Sequence, residues 1–211
     1  MRGPDPKYNP RLAQALNNAK RAGMSKSVIE GAIARGRGIG LSGESLESLT
    51  IEAIIPPSVG AVIECLTDQK GRVLQDLRVI IKDAGGTMTP TTYLFEKKGR
   101  IIFEKKDDDD GFDPDSYLDQ VIEAGAADME TDSQGRLVVF TEPSKTKSIG
   151  DSLSELIGLN VEELDIVWDP NSDTMVDVRD ELQVKDLEEA VNALREDPSV
   201  QDIYLNTVQK F

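Results

Sequence analysis

Histidine is missing from all 211 residues, cysteine occurs once, and aromatic side chains make up only 5% of the chain. Without histidine the commonest general base and the commonest metal ligand are both gone, leaving carboxylates, lysine, tyrosine and one thiol for any chemistry. The lone Cys65 excludes a disulfide framework and a cysteine metal site, suits a reducing interior, and in its apolar stretch reads as a small buried hydrophobe. No window approaches the roughly 20 apolar residues of a membrane-spanning helix, so no membrane insertion is expected. No signal or transit segment is legible ahead of the first turn.

Another absence is local. Between Pro6 and Ile29 there is no carboxylate. Residues 1–40 carry eight basic and two acidic side chains, a net +6, while the remainder carries 16 basic and 37 acidic groups, a net −21. The whole-chain charge of −15 would repel nucleic acid, but charge segregated in this way leaves one end that can meet phosphate and a body that cannot.

What is present at that end is a helical hairpin. Pro4, Pro6 and Pro10 fix φ and delay the first helix until Asn9 can cap it with Pro10 at the first helical position. Leu12, Ala15, Leu16 and Ala19 share one face, and Gln14, Asn17, Asn18 and Arg21 share the other, with Arg11 and Lys20 on its flanks. Gly23 suits the position just past the helix end, Ser25 caps a second helix, and Val28, Ile29, Ala32 and Ile33 form its apolar stripe. Gly36, Gly38 and Gly40 end that helix, and residues 41–48 read as a polar linker. Because the glycines follow a helix and not a strand, they do not suit a dinucleotide fingerprint.

Further along, strands are expected at Thr50–Ile55 and Ala61–Leu66 around a Pro56–Gly60 turn, then a helix from Gly71 to Asp83. Tyr93–Phe95 and Arg100–Phe103 read as a hairpin turning at Lys97-Lys98-Gly99. Asp107–Asp110 is a solvated charge run and a domain boundary. Residues 112–168 read as helix, strand, strand, helix, strand, a small α+β unit. A strand near Met175–Val178, a helix over Lys185–Arg195 and a strand at Val200–Tyr204 cannot bury their apolar faces alone, so this tail is expected to return to the sheet begun at Thr50–Phe103. The Asp169–Asp173 run imitates a calcium loop but has Thr174 where the sharp turn needs glycine, so no metal and no cofactor is expected.

Two blocks carry a resemblance. Gly3-Pro4-Asp5-Pro6, Asn9-Pro10-Arg11-Leu12, Ala19-Lys20, Met24, Ile29-Glu30 and Ala32-Ile33, followed by Ile63-Glu64-Cys65-Leu66-Thr67-Asp68, Arg72, Asp76-Leu77-Arg78 and Gly85-Gly86, resemble the YebC family, which includes the mitochondrial translational activator of cytochrome c oxidase. The resemblance implies an α+β fold: an N-terminal helical hairpin domain followed by two small α/β sandwich-like domains, the third inserted into the second. The expected boundaries are 1–44, then 45–106 with 174–211, with 107–173 inserted. It also implies a non-enzymatic translation regulator of the mitochondrial matrix, whose partner is the ribosome (rRNA) or an mRNA. Bacterial members point to the other reading, a cytoplasmic, DNA-binding transcriptional regulator.

Nucleic-acid contact is assigned to Arg11, Gln14, Asn17, Asn18, Lys20, Arg21, Lys26, Arg35 and Arg37, because guanidinium and ammonium groups neutralise phosphates while amides bond backbone oxygens. No aromatic platform for stacking bases accompanies them beyond Tyr8. Thr87, Met88, Thr89, Thr91 and Thr92 form an uncharged loop that is a candidate partner surface. No small-molecule substrate is expected, since no acid/base pair or nucleophile constellation is legible.

Overall fold

The computed structural model describes residues 10–40, 43–104 and 113–209. In chain order the elements are α1 (Pro10–Arg21), α2 (Lys26–Gly36), β1 (Glu47–Ile55), β2 (Val59–Thr67), α3 (Lys70–Asp83), β3 (Thr87–Met88) and β4 (Phe95–Phe103). There follow α4 (Leu118–Glu123), β5 (Asp128–Thr131), β6 (Leu137–Thr141), α5 (Thr146–Ile157), β7 (Val161–Pro170), α6 (Glu181–Arg195) and β8 (Val200–Leu205). The fold is mixed α/β, with two four-stranded sheets ordered β3-β1-β2-β8 and β5-β6-β4-β7. The chain divides into two compact units, one holding residues up to Thr89 together with Val178–Ile203, the other Pro90–Asp177 together with Tyr204–Lys210.

In the first unit β1 and β2 pair antiparallel with Ile51 opposite Ile63. Ile51, Ala53 and Ile55 alternate into the core from β1, whereas β2 buries Val59 through Ile63 without a break. Helix α3 packs on β1 with Val73, Leu77 and Ile81, one residue per turn, and α6 packs against α3 with Leu187, Ala190, Val191 and Leu194 buried. Asp180 sets the start of α6 by accepting from the amides of Leu182 and Gln183, so the helix begins four residues before the periodicity at Lys185 suggests.

In the second unit all strand pairs are antiparallel. Helices α4 and α5 cover a core of Ile101, Phe103, Val121, Leu137, Val139, Ile149, Leu153 and Leu159. Here a sequence expectation fails. Residues 95–103 form one continuous strand with no turn at Lys97-Lys98-Gly99, and it pairs with β6 and β7 in the second sheet, not with the sheet that holds β1 and β2. The polar residues that resemble a turn each have a strand partner: the Lys97 ammonium lies 4.8 Å from the Trp168 ring centre, and Lys98 donates to Asp169 at 2.7 Å. Gly99 is held against Thr141 and Thr146, where a Cβ has no space.

Other differences are smaller. Met175–Val178 makes a single bridge, Val176 to Thr207, where a strand is expected. The region read as a linker is closed by hydrogen bonds from Leu46 N–H to Gly38 C=O and from Gly40 N–H to Glu44 C=O, and β1 begins at Glu47. Asn9 as a cap and the Asp107–Asp110 run lie outside the described residues.

Candidate nucleic-acid interface

Local signals alone build the arm. At the end of α1 the amide of Gly23 donates to Lys20 C=O and that of Met24 to Ala19 C=O, the paired bonds of a left-handed helix cap, with Gly23 at φ +75°. Helix α2 starts at Ser25, whose hydroxyl accepts from Val28 N–H at 3.4 Å, and ends in the same kind of cap at Gly38. Both turns match positions read from sequence.

The arm is not deeply buried. Leu12, Leu16, Ala19, Ile29 and Ile33 are half-buried, but Ala15, Val28 and Ala32 are exposed, Val28 by 53%. The expected buried face is therefore only a partial one.

Of the expected nucleic-acid residues, Lys20, Arg21, Lys26, Arg35 and Arg37 are all exposed. Lys20 and Arg21 stand at the end of α1 and Lys26 at the start of α2, on either side of the turn that holds Met24, itself 50% exposed. The pair between Lys26 and Glu30, 3.6 Å apart on the same helix and well exposed, is the weak surface kind that yields readily to a phosphate. Among the described residues, no ion pair engages Lys20, Arg21 or Arg37. Arg35 is placed apart, near the other end of α2, where its guanidinium donates to Pro198 C=O at 3.5 Å. Arg11, Gln14, Asn17 and Asn18 occupy positions along α1.

Sequence reasoning passed over the corner at which the arm meets the body. Arg35, Gly40, Asp68, Gln69, Arg72, Asp76 and Asp197 line a cavity of about 180 Å³ there. Arg72 and Asp76 pair at 3.3 Å, the Asp197 carboxylate accepts from Ser199 N–H, and Gly40 packs directly against the Asp68 carboxylate. Thr67, Asp68, Arg72 and Asp76 belong to the second block that carries the resemblance, which was the available signal.

The Thr87–Thr92 segment does not form an open loop. Thr87 and Met88 are β3, paired with Ile54 and Ala53; Thr89 N–H donates to Glu52 C=O; Thr91 is fully buried and Thr92 opens a short 3₁₀ turn. Thr87, Met88 and Thr89 belong to the first unit and Thr91 and Thr92 to the second. In the calcium-like run Asp169 is engaged by Lys98, and among the described residues no three potential ligands cluster. Cys65 is buried, and that burial first, then the charges of Asp197 and Glu64, push its thiol up to about 12, which removes the thiolate at neutral pH. No helix among the described residues is long and apolar enough to cross a membrane.

A cationic two-helix arm on an acidic mixed α/β body with two antiparallel sheets defines the class to which the chain is compared. Residues 1–39 match the "TACO1/YebC protein N-terminal domain" and residues 46–207 match the "TACO1/YebC second and third domain". The chain belongs to the TACO1/YebC family. It is 35% identical over 207 residues to a probable transcriptional regulatory protein of Persephonella marina, covering 97% of this chain and 80% of that protein. It is 32% identical over 206 residues to one from Aeromonas salmonicida, covering 96% and 79%. The crystal structure of a conserved hypothetical protein from Aquifex aeolicus superposes with a TM-score of 0.68 at 30% identity, covering 99% of this chain and 86% of that one.

Proposed function

We propose that this chain is a non-enzymatic regulator that grips the phosphate backbone of a nucleic acid with its helical arm. The observation that carries the reading is the tip of the hairpin, where Lys20, Arg21 and Lys26 are exposed on either side of the turn, with Arg37 also exposed and Arg35 at the far end of α2. Arg11, Gln14, Asn17 and Asn18 extend the surface along α1 as proposed contacts. The names of the bacterial relatives favour duplex DNA as the target, transcription as the process and the cytoplasm over the mitochondrial matrix.

A second reading, contact with ribosomal or messenger RNA in translation, is favoured by one feature of α2. Its first two turns, Lys26 to Ala32, offer only Lys26 and Glu30 as long polar side chains, too few to read base edges in a major groove. Such a helix contacts backbone with little regard to sequence, which suits a folded RNA as well as a duplex.

Fluorescence anisotropy with a 30-base-pair duplex and a structured RNA of equal length, at several salt concentrations, tests both. Reversing Lys20, Arg21, Arg35 and Arg37 to Glu is expected to weaken binding by at least about a hundredfold and to flatten the salt dependence by nearly one power of salt for each phosphate no longer neutralised. Unchanged affinity in that variant would sink the reading, and the preferred polymer decides between transcription and translation.

A further inference from the structure

At the opposite end of α3 from the corner cavity, the first unit has an open groove of about 550 Å³ between α3 and α6. Ile80, Ala190 and Ala193 lie along its floor, and Asp83, Asp186 and Glu189 stand on its rim. Among the described residues no cation lines it. Lys185 approaches Glu189 at 3.7 Å with both side chains about 70% exposed, a pair too solvated to neutralise the rim. One turn before Asp186, on the same side of α6, Leu182 is 72% exposed. An apolar trough edged by three carboxylates matches the two halves of a long basic side chain, whose methylene stem prefers apolar surface and whose head prefers negative charge.

We propose that this groove docks a lysine- or arginine-rich amphipathic segment of a partner protein. The stem of one basic side chain lies over Ala190 and Ala193, its head sits among Asp83, Asp186 and Glu189, and a neighbouring apolar residue of the segment covers Leu182. The groove uses the Ile80–Ala84 end of α3 and the corner beside the arm uses the Arg72–Asp76 end of that 14-residue helix. The chain can therefore hold a basic protein and a polyanion at separate places, as fits a factor working where basic proteins coat nucleic acid. This rests on the reading of the arm only for its setting; the groove itself is tested independently.

The probe is a fluorescein-labelled 16-residue peptide of lysine and leucine in helical spacing, with a glutamate-for-lysine peptide as control, titrated with the full chain at 150 mM salt. Asp83→Asn/Asp186→Asn/Glu189→Gln is compared with a variant that removes the same charge from the second unit, Asp119→Asn/Glu123→Gln/Asp151→Asn. The groove variant is expected to bind the lysine peptide at least tenfold more weakly and the charge-matched variant within twofold of the parent, with nucleic-acid affinity unchanged in both. Ala193→Leu, which narrows the floor without touching charge, is expected to weaken the peptide about threefold or more. Equal weakening in the two charge variants, or no preference for the lysine peptide, would overturn the proposal. So would self-association of the chain that the groove variant abolishes, since the occupant would then be the basic arm of a second copy.

Discussion

Helices α2 and α3 are of similar length and belong to the same unit, yet α3 buries Val73, Leu77 and Ile81 while no side chain of α2 is buried. Both helices end at a left-handed glycine, but α2 also starts at a serine cap, whereas α3 has no side-chain cap at its start and is held by what lies against it. An element held by its own termini keeps its surface free, and here that surface carries the positive charge. The elements that build the core supply most of the negative charge, which burial pushes to their outer faces.

The sharpest way to break this comparison is to remove one apolar side chain from each helix and follow unfolding in urea. Leu77→Ala deletes a fully buried side chain and is expected to cost about 3 kcal/mol, whereas Val28→Ala is expected to cost less than about 0.5 kcal/mol. Similar costs from the two would mean that the arm is packed as firmly as the body. Next in size is Gly99→Ala in β4. A methyl group there meets the hydroxyls of Thr141 and Thr146, and about 2 kcal/mol is expected, lowered by adding Thr146→Ala, which takes away the nearer hydroxyl.

The smallest effect concerns Glu163 of β7. Burial, then its hydrogen bond with Asp165, raise this carboxyl above its ordinary 4.5 despite the pull of Arg100. The folded chain therefore holds the proton more tightly than the unfolded chain does, and stability is lost as pH rises from 4.5 through the folded value. Glu163→Gln is expected to raise Tm by about 1 °C at pH 7 and to leave it unchanged at pH 4. A lower Tm at pH 7 would show that attraction to Arg100, 3.7 Å away, outweighs the penalty.

Periodicity and punctuation sufficed wherever structure is decided locally. Gly23 and Ser25 mark the turn between α1 and α2, Gly85 ends α3, and Val73, Leu77 and Ile81 announce the face that α3 buries. What stayed illegible depends on partners distant in the chain. Lys97-Lys98-Gly99 has the composition of a turn and becomes mid-strand because Trp168, Asp169 and Thr146 await it. Thr91 has the composition of a loop and lies fully buried. At the candidate interface, charge nominated the exposed cations of the arm, Arg35 among them, but not the corner that Arg35 shares with Asp68 and Arg72, since that cavity exists only once the ends of α2, β2 and α3 are brought together.

The last strand of the first sheet comes from the far end of the chain: β8 is the neighbour of β2, and α6 covers α3. A nascent polypeptide emerging in order therefore exposes β1, β2 and α3 long before their cover is made, while all four strands of the second sheet lie within the single span Pro90–Asp177. During synthesis the second sheet can assemble before the first gains β8, although its unit is completed only by Tyr204–Lys210, and a message cut short just after the codons for that span would yield a protein with its second sheet assembled and its first sheet without β8 and α6.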